Sequence, residues 1–163
     1  MSIEVCRAYL RQRGFEDRIR EFDVSSATVE LAAQAVGCAP ARIAKTLSFV
    51  HEDGAVLIVC AGDAKIDNAK FKAQFHHKAT MLTPEQVETF TGHQIGGVCP
   101  FGIKNPATVT YLDVSLQRFD IIYPAAGNAA SAVELNCEEL SQLSNSAGWI
   151  DVCKGWQASG PQN

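Results

Sequence analysis

Two stretches of this 163-residue chain carry residue types suited to chemistry. One is Gly96-Gly97-Val98-Cys99-Pro100-Phe101-Gly102, three glycines, a proline and an aromatic within seven residues. Glycine accepts φ > 0 and lets another backbone or a ligand come close, and proline fixes φ and removes one N–H. Such a loop holds several amide groups in preset directions around a small group; its plainer reading is a tight connector between strands. The other is Lys45, directly after Ile43-Ala44 at the entry of an apolar strand-like run. A lysine there either snorkels to the surface or turns its ammonium into a functional cavity. Cys99 with His93 is a further combination, a thiol nucleophile and its base, which requires the two to meet in space. His76-His77 is read as the basic end of a helix and not as a metal site, because no third ligand stands at a diagnostic spacing.

The elements that position these residues follow from periodicity and punctuation. Residues 2–13 read as a helix with Ile3, Cys6 and Leu10 on one face and Gly14 as its stop. Arg7, Arg11, Arg13, Arg18 and Arg20 make this end basic, either a solvated face or an RNA-backbone contact. The polar run 23–28 offers N-caps for a second helix over 28–36, with Leu31, Ala32, Ala35 and Val36 as its buried stripe and Gly37 as its stop. Residues 46–50 and 55–61 around a Gly54 turn predict a β-hairpin, and the unbroken apolar run Val56–Val59 predicts a strand covered on both faces. Asn68–Phe75 reads as a short helix and Lys78–Leu82 as a short strand. Thr83-Pro84-Glu85-Gln86 is a capping box with proline at the first helical position, and Gly92 closes that helix. Strands are expected over 109–113, 121–125 and 131–135, separated by turns at 115–118 and 127–128. Asn136-Cys137-Glu138-Glu139 caps a last helix, and the chain from Gly155 reads as a frayed tail.

The length suits one domain, 1–154, followed by a flexible tail, 155–163. With 47% hydrophobic and 20% charged residues the composition is that of a globular protein. No apolar run has the roughly 20 residues of a membrane span, and the first residues lack a signal-peptide core, so a cytoplasmic location without membrane association is expected. The six cysteines contain no C-x-x-C pair and read as small buried hydrophobes. The net charge of −4 and the absence of a helix-turn-helix pattern argue against binding duplex DNA. The charge is uneven, however: residues 1–78 carry 11 Lys and Arg against 10 Asp and Glu, and residues 79–163 carry 3 against 8.

Taken together, Ala39–Phe49 with Lys45, Gly62-Asp63 with its following helix, and the Gly96–Gly102 loop resemble the YbaK/EbsC family, related to the editing domain inserted in bacterial prolyl-tRNA synthetases. The resemblance covers about residues 2–152. It implies an α+β fold, a mixed, barrel-like β-sheet of about six or seven strands flanked by helices. It also implies hydrolysis in trans of mischarged aminoacyl-tRNA at the 3′-terminal ester, with tRNA(Pro) carrying a small wrong amino acid as the favoured substrate. The catalytic positions it implies are Lys45, Gly96 and Gly97; those at the substrate are Thr46, Val98, Cys99, Pro100, Phe101, Gly102, Ala126 and Gly127. The family relies on the substrate's 2′-hydroxyl and a positioned water, which agrees with the lack here of a Ser-His-Asp set. Neither cofactor nor metal is implied; the partners are the aminoacyl-tRNA acceptor end and prolyl-tRNA synthetase. Members active on cysteinyl-tRNA(Pro) carry Ser-Gly where Ala126-Gly127 stands, so the amino acid removed stays open among cysteine, alanine, serine and threonine. Phe22, Val24, Phe49, Phe101 and Ile103 are the apolar candidates for the walls of the amino-acid pocket. Two other readings compete: the Cys99–His93 thiol enzyme, and a non-catalytic tRNA- or protein-binding regulatory module of the same fold.

Overall fold

A computed structural model describes residues 2–157. The α+β class holds. The centre is the hairpin of β2 (Ile43–His51) and β3 (Gly54–Ala61), paired antiparallel with Lys45 opposite Cys60 and Thr46 opposite Val59. β5 (Thr108–Asp113) adds parallel to β3, and β8 (Trp149–Ile150) adds parallel to β5. On the other side β6 (Tyr123–Pro124) lies parallel to β2, giving a five-stranded mixed sheet in the order β6-β2-β3-β5-β8. Because β3 has a strand on each side and apolar layers on both faces, all eight of its residues are buried, as its unbroken apolar run requires.

Two short ribbons complete the nine strands among the described residues. β1 (Ile19–Glu21) pairs with β7 (Ser131–Val133), and β4 (Lys65–Ile66) with β9 (Cys153–Lys154). The excess over six or seven comes from two- and three-residue strands, too short to show an alternating pattern. The helices are α1 (Ser2–Arg11), α2 (Val29–Val36), α3 (Asn68–Phe75), α4 (Pro84–Thr91) and α5 (Cys137–Leu143). Capping boxes form at Thr83–Gln86 and Asn136–Glu139, each satisfying two end groups of its helix. No helix among the described residues is long and apolar enough to cross a membrane.

Several expectations need correction. Residues 78–82 make only a bridge, Met81 beside Phe49, flanked by the Val50 N–H to Thr80 O and Leu82 N–H to Ser48 O bonds. The expected strand 121–125 shrinks to Tyr123–Pro124, with Ile122 bridging Leu135, and 131–135 shrinks to Ser131–Val133. On α2, Leu31 is 40% exposed and Ala33 takes its place beside Ala32, because the helix packs on Ile43 through a small-residue face. His76 is the left-handed C-cap of α3, but His77 turns away and meets His51, its Nε2 2.8 Å from His51 Nδ1. Four of the five N-terminal arginines are paired on this solvated face, and Arg13 instead stacks on the Tyr9 ring without a carboxylate partner. Arg7 pairs with Glu21, Arg11 with Glu16, Arg18 with Glu139 and Arg20 with Glu134. Past Gly155, Trp156 packs on the core and under Arg118, and the remainder of the expected tail lies outside the described residues.

Two polar anchors fix the sheet end that carries Lys45. The fully buried Asp113 carboxylate accepts from the Ser115 and Val152 N–H groups, both at 2.9 Å, and Ser115 Oγ accepts from the Ala61 N–H. Just beyond β3, Asp63 receives both arms of the Arg118 guanidinium, at 2.6 and 3.0 Å. The turn after β3 is thereby held from two directions.

Candidate functional site

Lys45 stands near the start of β2, and its ammonium reaches back to the turn just described. Its Nζ donates to Gly62 O at 3.3 Å and Ala64 O at 2.5 Å. An ammonium has three donors, so one N–H remains for a partner outside the turn. Lys45 lines a cavity of about 230 Å³ together with Thr46, Ser48, Gly96 and Val98. The inner wall is apolar, formed by Val29, Ala32, Ile43, Tyr123 and Ala132, and the exposed side chains of Met81 (63%) and Ile95 (62%) also border it. The combination of a small apolar recess and few convergent polar groups is that of a small-molecule or end-group site.

The glycine loop reaches this cavity through only part of its length. Gly96 lies at φ 94° with a built Cβ in ordinary contact with Ala27 and Ala129, and Val98 follows on the cavity wall. Among the described residues the N–H groups of Gly96 and Val98 have no protein acceptor. The Gly97 N–H instead donates to Gln94 O at 3.0 Å, closing a turn. A Cβ on Gly97 would lie 2.5 Å from Asn128 Cα and 2.7 Å from Asn128 N, so this glycine is there for loop-on-loop contact. Gly97 and Gly127 face a separate depression shared with Asn128 and Ala129.

The remaining expected positions are dispersed. Pro100 and Gly102 border a second depression with Tyr9 and Arg13, which shares no lining residue with the cavity. Cys99, Phe101 and Ala126 are fully buried. Of the five pocket-wall candidates none lines the cavity: Phe49 and Phe101 are core, Val24 is 61% exposed, Ile103 borders the second depression, and Phe22 lies outside both. Cys99 and His93 do meet, Sγ to Nε2 at 3.5 Å, yet both sit in the interior. His93 Nε2–H donates to Phe101 O at 2.9 Å, and Nδ1 is buried without a partner. Burial pushes the imidazole below its ordinary range against the smaller opposing effect of that hydrogen bond. Burial, with Cys6 adding to it, raises the Cys99 thiol well above the usual range, so this cysteine is a protonated core residue and the thiol-enzyme reading fails on access.

Sequence reasoning missed Ser26 and Ser131, which line the cavity opposite the lysine. The β1–β7 ribbon brings them together: Ser131 N–H donates to Ser26 Oγ at 3.0 Å, and Ser131 Oγ accepts from Ala126 N–H at 3.1 Å. Ser26 N–H also donates to Ala129 O. The polar run before α2 carries the signal, but a serine there is equally suited to capping the helix. Thr46 Oγ1 is buried and unpartnered on the cavity wall. Among the described residues no three His, Cys, Asp or Glu side chains group so as to hold a metal.

Comparisons with known proteins give the family. The aminoacyl-tRNA editing domain family matches residues 24–143. An uncharacterised Bacillus subtilis protein, YwhH, is 52% identical over 158 residues, covering 96% of this chain and all of that one. An Enterococcus faecalis protein, EbsC, a candidate Cys-tRNA(Pro)/Cys-tRNA(Cys) deacylase, is 33% identical over 120 residues, 72% of this chain and 73% of EbsC. The crystal structure of a candidate trans-editing enzyme for prolyl-tRNA synthetase superposes with a TM-score of 0.84 at 32% identity, covering 94% of this chain and 98% of the other. The chain belongs to the aminoacyl-tRNA editing domain family.

Proposed function

We propose that the protein hydrolyses, in trans, the ester joining a small mismatched amino acid to the 3′-terminal adenosine of a tRNA, with tRNA(Pro) as the first candidate. The observation carrying this reading is one cavity lined by Lys45 together with Gly96 and Val98, whose N–H groups have no protein acceptor among the described residues. An aminoacyl ester is already activated, so positioning and modest charge stabilisation suffice. The two amides are suited to the ester carbonyl and the oxyanion that develops on it. The third N–H of Lys45 suits a ribose or phosphate oxygen of the adenosine. A water adds to the carbonyl carbon, the C–O bond to the ribose breaks, and the ribose oxygen leaves with a proton; the adjacent ribose hydroxyl is placed to relay it. The apolar recess behind Val29, Ala32 and Ile43 receives the amino-acid side chain and excludes large ones. Discrimination by such a second sieve matters because a synthetase pocket separates near-isosteres by only about 10–200-fold. EbsC and the trans-editing homologue support the same reading.

The test is deacylation of alanyl-, cysteinyl- and seryl-tRNA(Pro) and threonyl-tRNA by wild type and Lys45→Ala, with folding checked by circular dichroism. Release from at least one substrate, abolished in Lys45→Ala, is expected and names the amino acid. No release from any member by folded wild type refutes the proposal for these substrates and leaves the binding-module reading.

A further inference from the structure

The cations of this chain divide into two sets. Among the described residues, Arg7, Arg11, Arg18, Arg20, Arg42, Lys70 and Arg118 each have a carboxylate partner. Arg13, Lys45, Lys65, Lys72, Lys78, Lys104 and Lys154 have none, and of these Lys72 and Lys78 together line an open groove of about 510 Å³ between α3 and the segment leading to Met81. Its other lining residues are Asn68, Ala69, Ala79 and Thr80, so no carboxylate stands on its walls. Lys70, two positions before Lys72 on α3, is turned to Asp151 instead, so the helix separates a neutralised side from an uncompensated one.

The groove leads to the cavity. Thr80 is exposed on the groove wall, and the next residues, Met81 and Leu82, line the cavity. Met81 lies antiparallel beside Phe49, four residues along β2 from Lys45, and Lys78 is three residues further on, so about 23 Å of extended chain separates Lys78 from Lys45, the span of a few nucleotides from a terminal residue seated there. The other basic depression, with Arg13 and Lys104, shares no lining residue with the cavity.

From this we infer that the groove between α3 and residues 78–80 is the track for an RNA sugar-phosphate backbone, with Lys72 and Lys78 meeting phosphates a few nucleotides from the 3′ end. The inference rests on the editing reading for its orientation, but not for its chemistry: two cations without internal partners gain most from an external polyanion. It also explains how a chain of net charge −4 can engage RNA, through a local surface and not through its total charge.

The experiment measures binding of an uncharged RNA hairpin with the tRNA(Pro) acceptor-stem sequence and a CCA end, against salt, for wild type, Lys72→Glu/Lys78→Glu and Lys65→Glu/Lys154→Glu. The last pair is exposed, faces itself across the β4–β9 ribbon, and makes the same change in net charge. The groove variant is expected to raise Kd at least tenfold and to lower the slope of log Kd against log salt by about 1.5, and the ribbon variant to do neither. Equal loss in both variants, wild-type affinity in the groove variant, or no binding by wild type at low salt overturns the inference. Hydrolysis of alanyl-, cysteinyl-, seryl- and threonyl-adenosine esters separates the two proposals. Unchanged ester hydrolysis with unchanged RNA binding in the groove variant sinks the inference alone; groove-dependent RNA binding without any hydrolysis sinks the editing reading alone.

Discussion

Replacing Gly97 by alanine should damage the site while leaving its side chains intact. The backbone of Gly97 is not in the left-handed region, so alanine meets no torsional penalty there, and the effect isolates contact. The added carbon would sit 2.5, 2.7 and 2.8 Å from Asn128 Cα, N and C. These are backbone atoms and cannot swing aside. Restoring ordinary contact at about 3.5 Å requires the 96–102 and 126–129 loops to separate by about 1 Å. Overpacking of this kind costs about 1–3 kcal/mol, which at a urea slope near 2 kcal/mol/M lowers the unfolding midpoint by about 1 M. The same shift moves the Gly96 and Val98 amides relative to Lys45, and a misplacement of about 1 Å in a catalytic constellation can cost about 100-fold in rate. The assays are urea unfolding and deacylation of the substrate identified in the panel. Gly92→Ala is the comparison, since Gly92 has open space around its Cβ but lies at φ 76°, so it should lose about 1 kcal/mol of stability without loss of activity beyond its unfolded fraction. A Gly97→Ala protein within 0.5 kcal/mol of wild type and fully active would refute the claim that the loop-on-loop contact sets the amides.

Thr46→Val should be neutral or raise stability by up to about 1 kcal/mol, because the buried Oγ1 has no protein partner to lose, yet lower kcat/KM if that oxygen meets the substrate; a clear loss of stability would show a partner the static structure does not hold. His93 gives a pH signature. Its folded-state value is depressed, so the unfolded chain binds the extra proton first, and stability is complete above the ordinary imidazole range and declines as pH falls below about 6.5, by at most about 1.4 kcal/mol per pH unit. Thermal unfolding between pH 7 and 5 should show this slope reduced in His93→Gln, and an equal slope in both proteins would exclude His93 as its source.

How much of this could be read from the chain depends on the range of the interaction. The caps at Thr28, Thr83 and Asn136 are local events, a side chain bonding an amide three residues on, and they stand where the sequence puts them. The β2–β3 hairpin is equally legible, because its turn and its apolar run lie within one short stretch. The serine pair is not: Ser26 and Ser131 are 105 residues apart and meet only through a three-residue ribbon that has no pattern of its own. The arginines show the same limit, since Glu134 and Glu139, which neutralise Arg20 and Arg18, come from the other half of the chain. The GGVCPFG stretch was legible as a special loop, but its division into cavity-facing Gly96 and Val98, loop-packing Gly97, and buried Cys99 and Phe101 depends on neighbours the motif does not contain.

The attachment of Lys45 to Gly62 O and Ala64 O has a consequence for entropy. A free lysine side chain loses about 1.5–2 kcal/mol of rotamer freedom when it is fixed. Here that loss occurs when the chain folds, against carbonyls held by the Asp63–Arg118 pair, and not when a ligand arrives. On the proposed editing reading, a ligand oxygen then meets a cation already immobilised in direction, and the stability of the turn after β3 sets how much of the encounter's free energy survives as affinity.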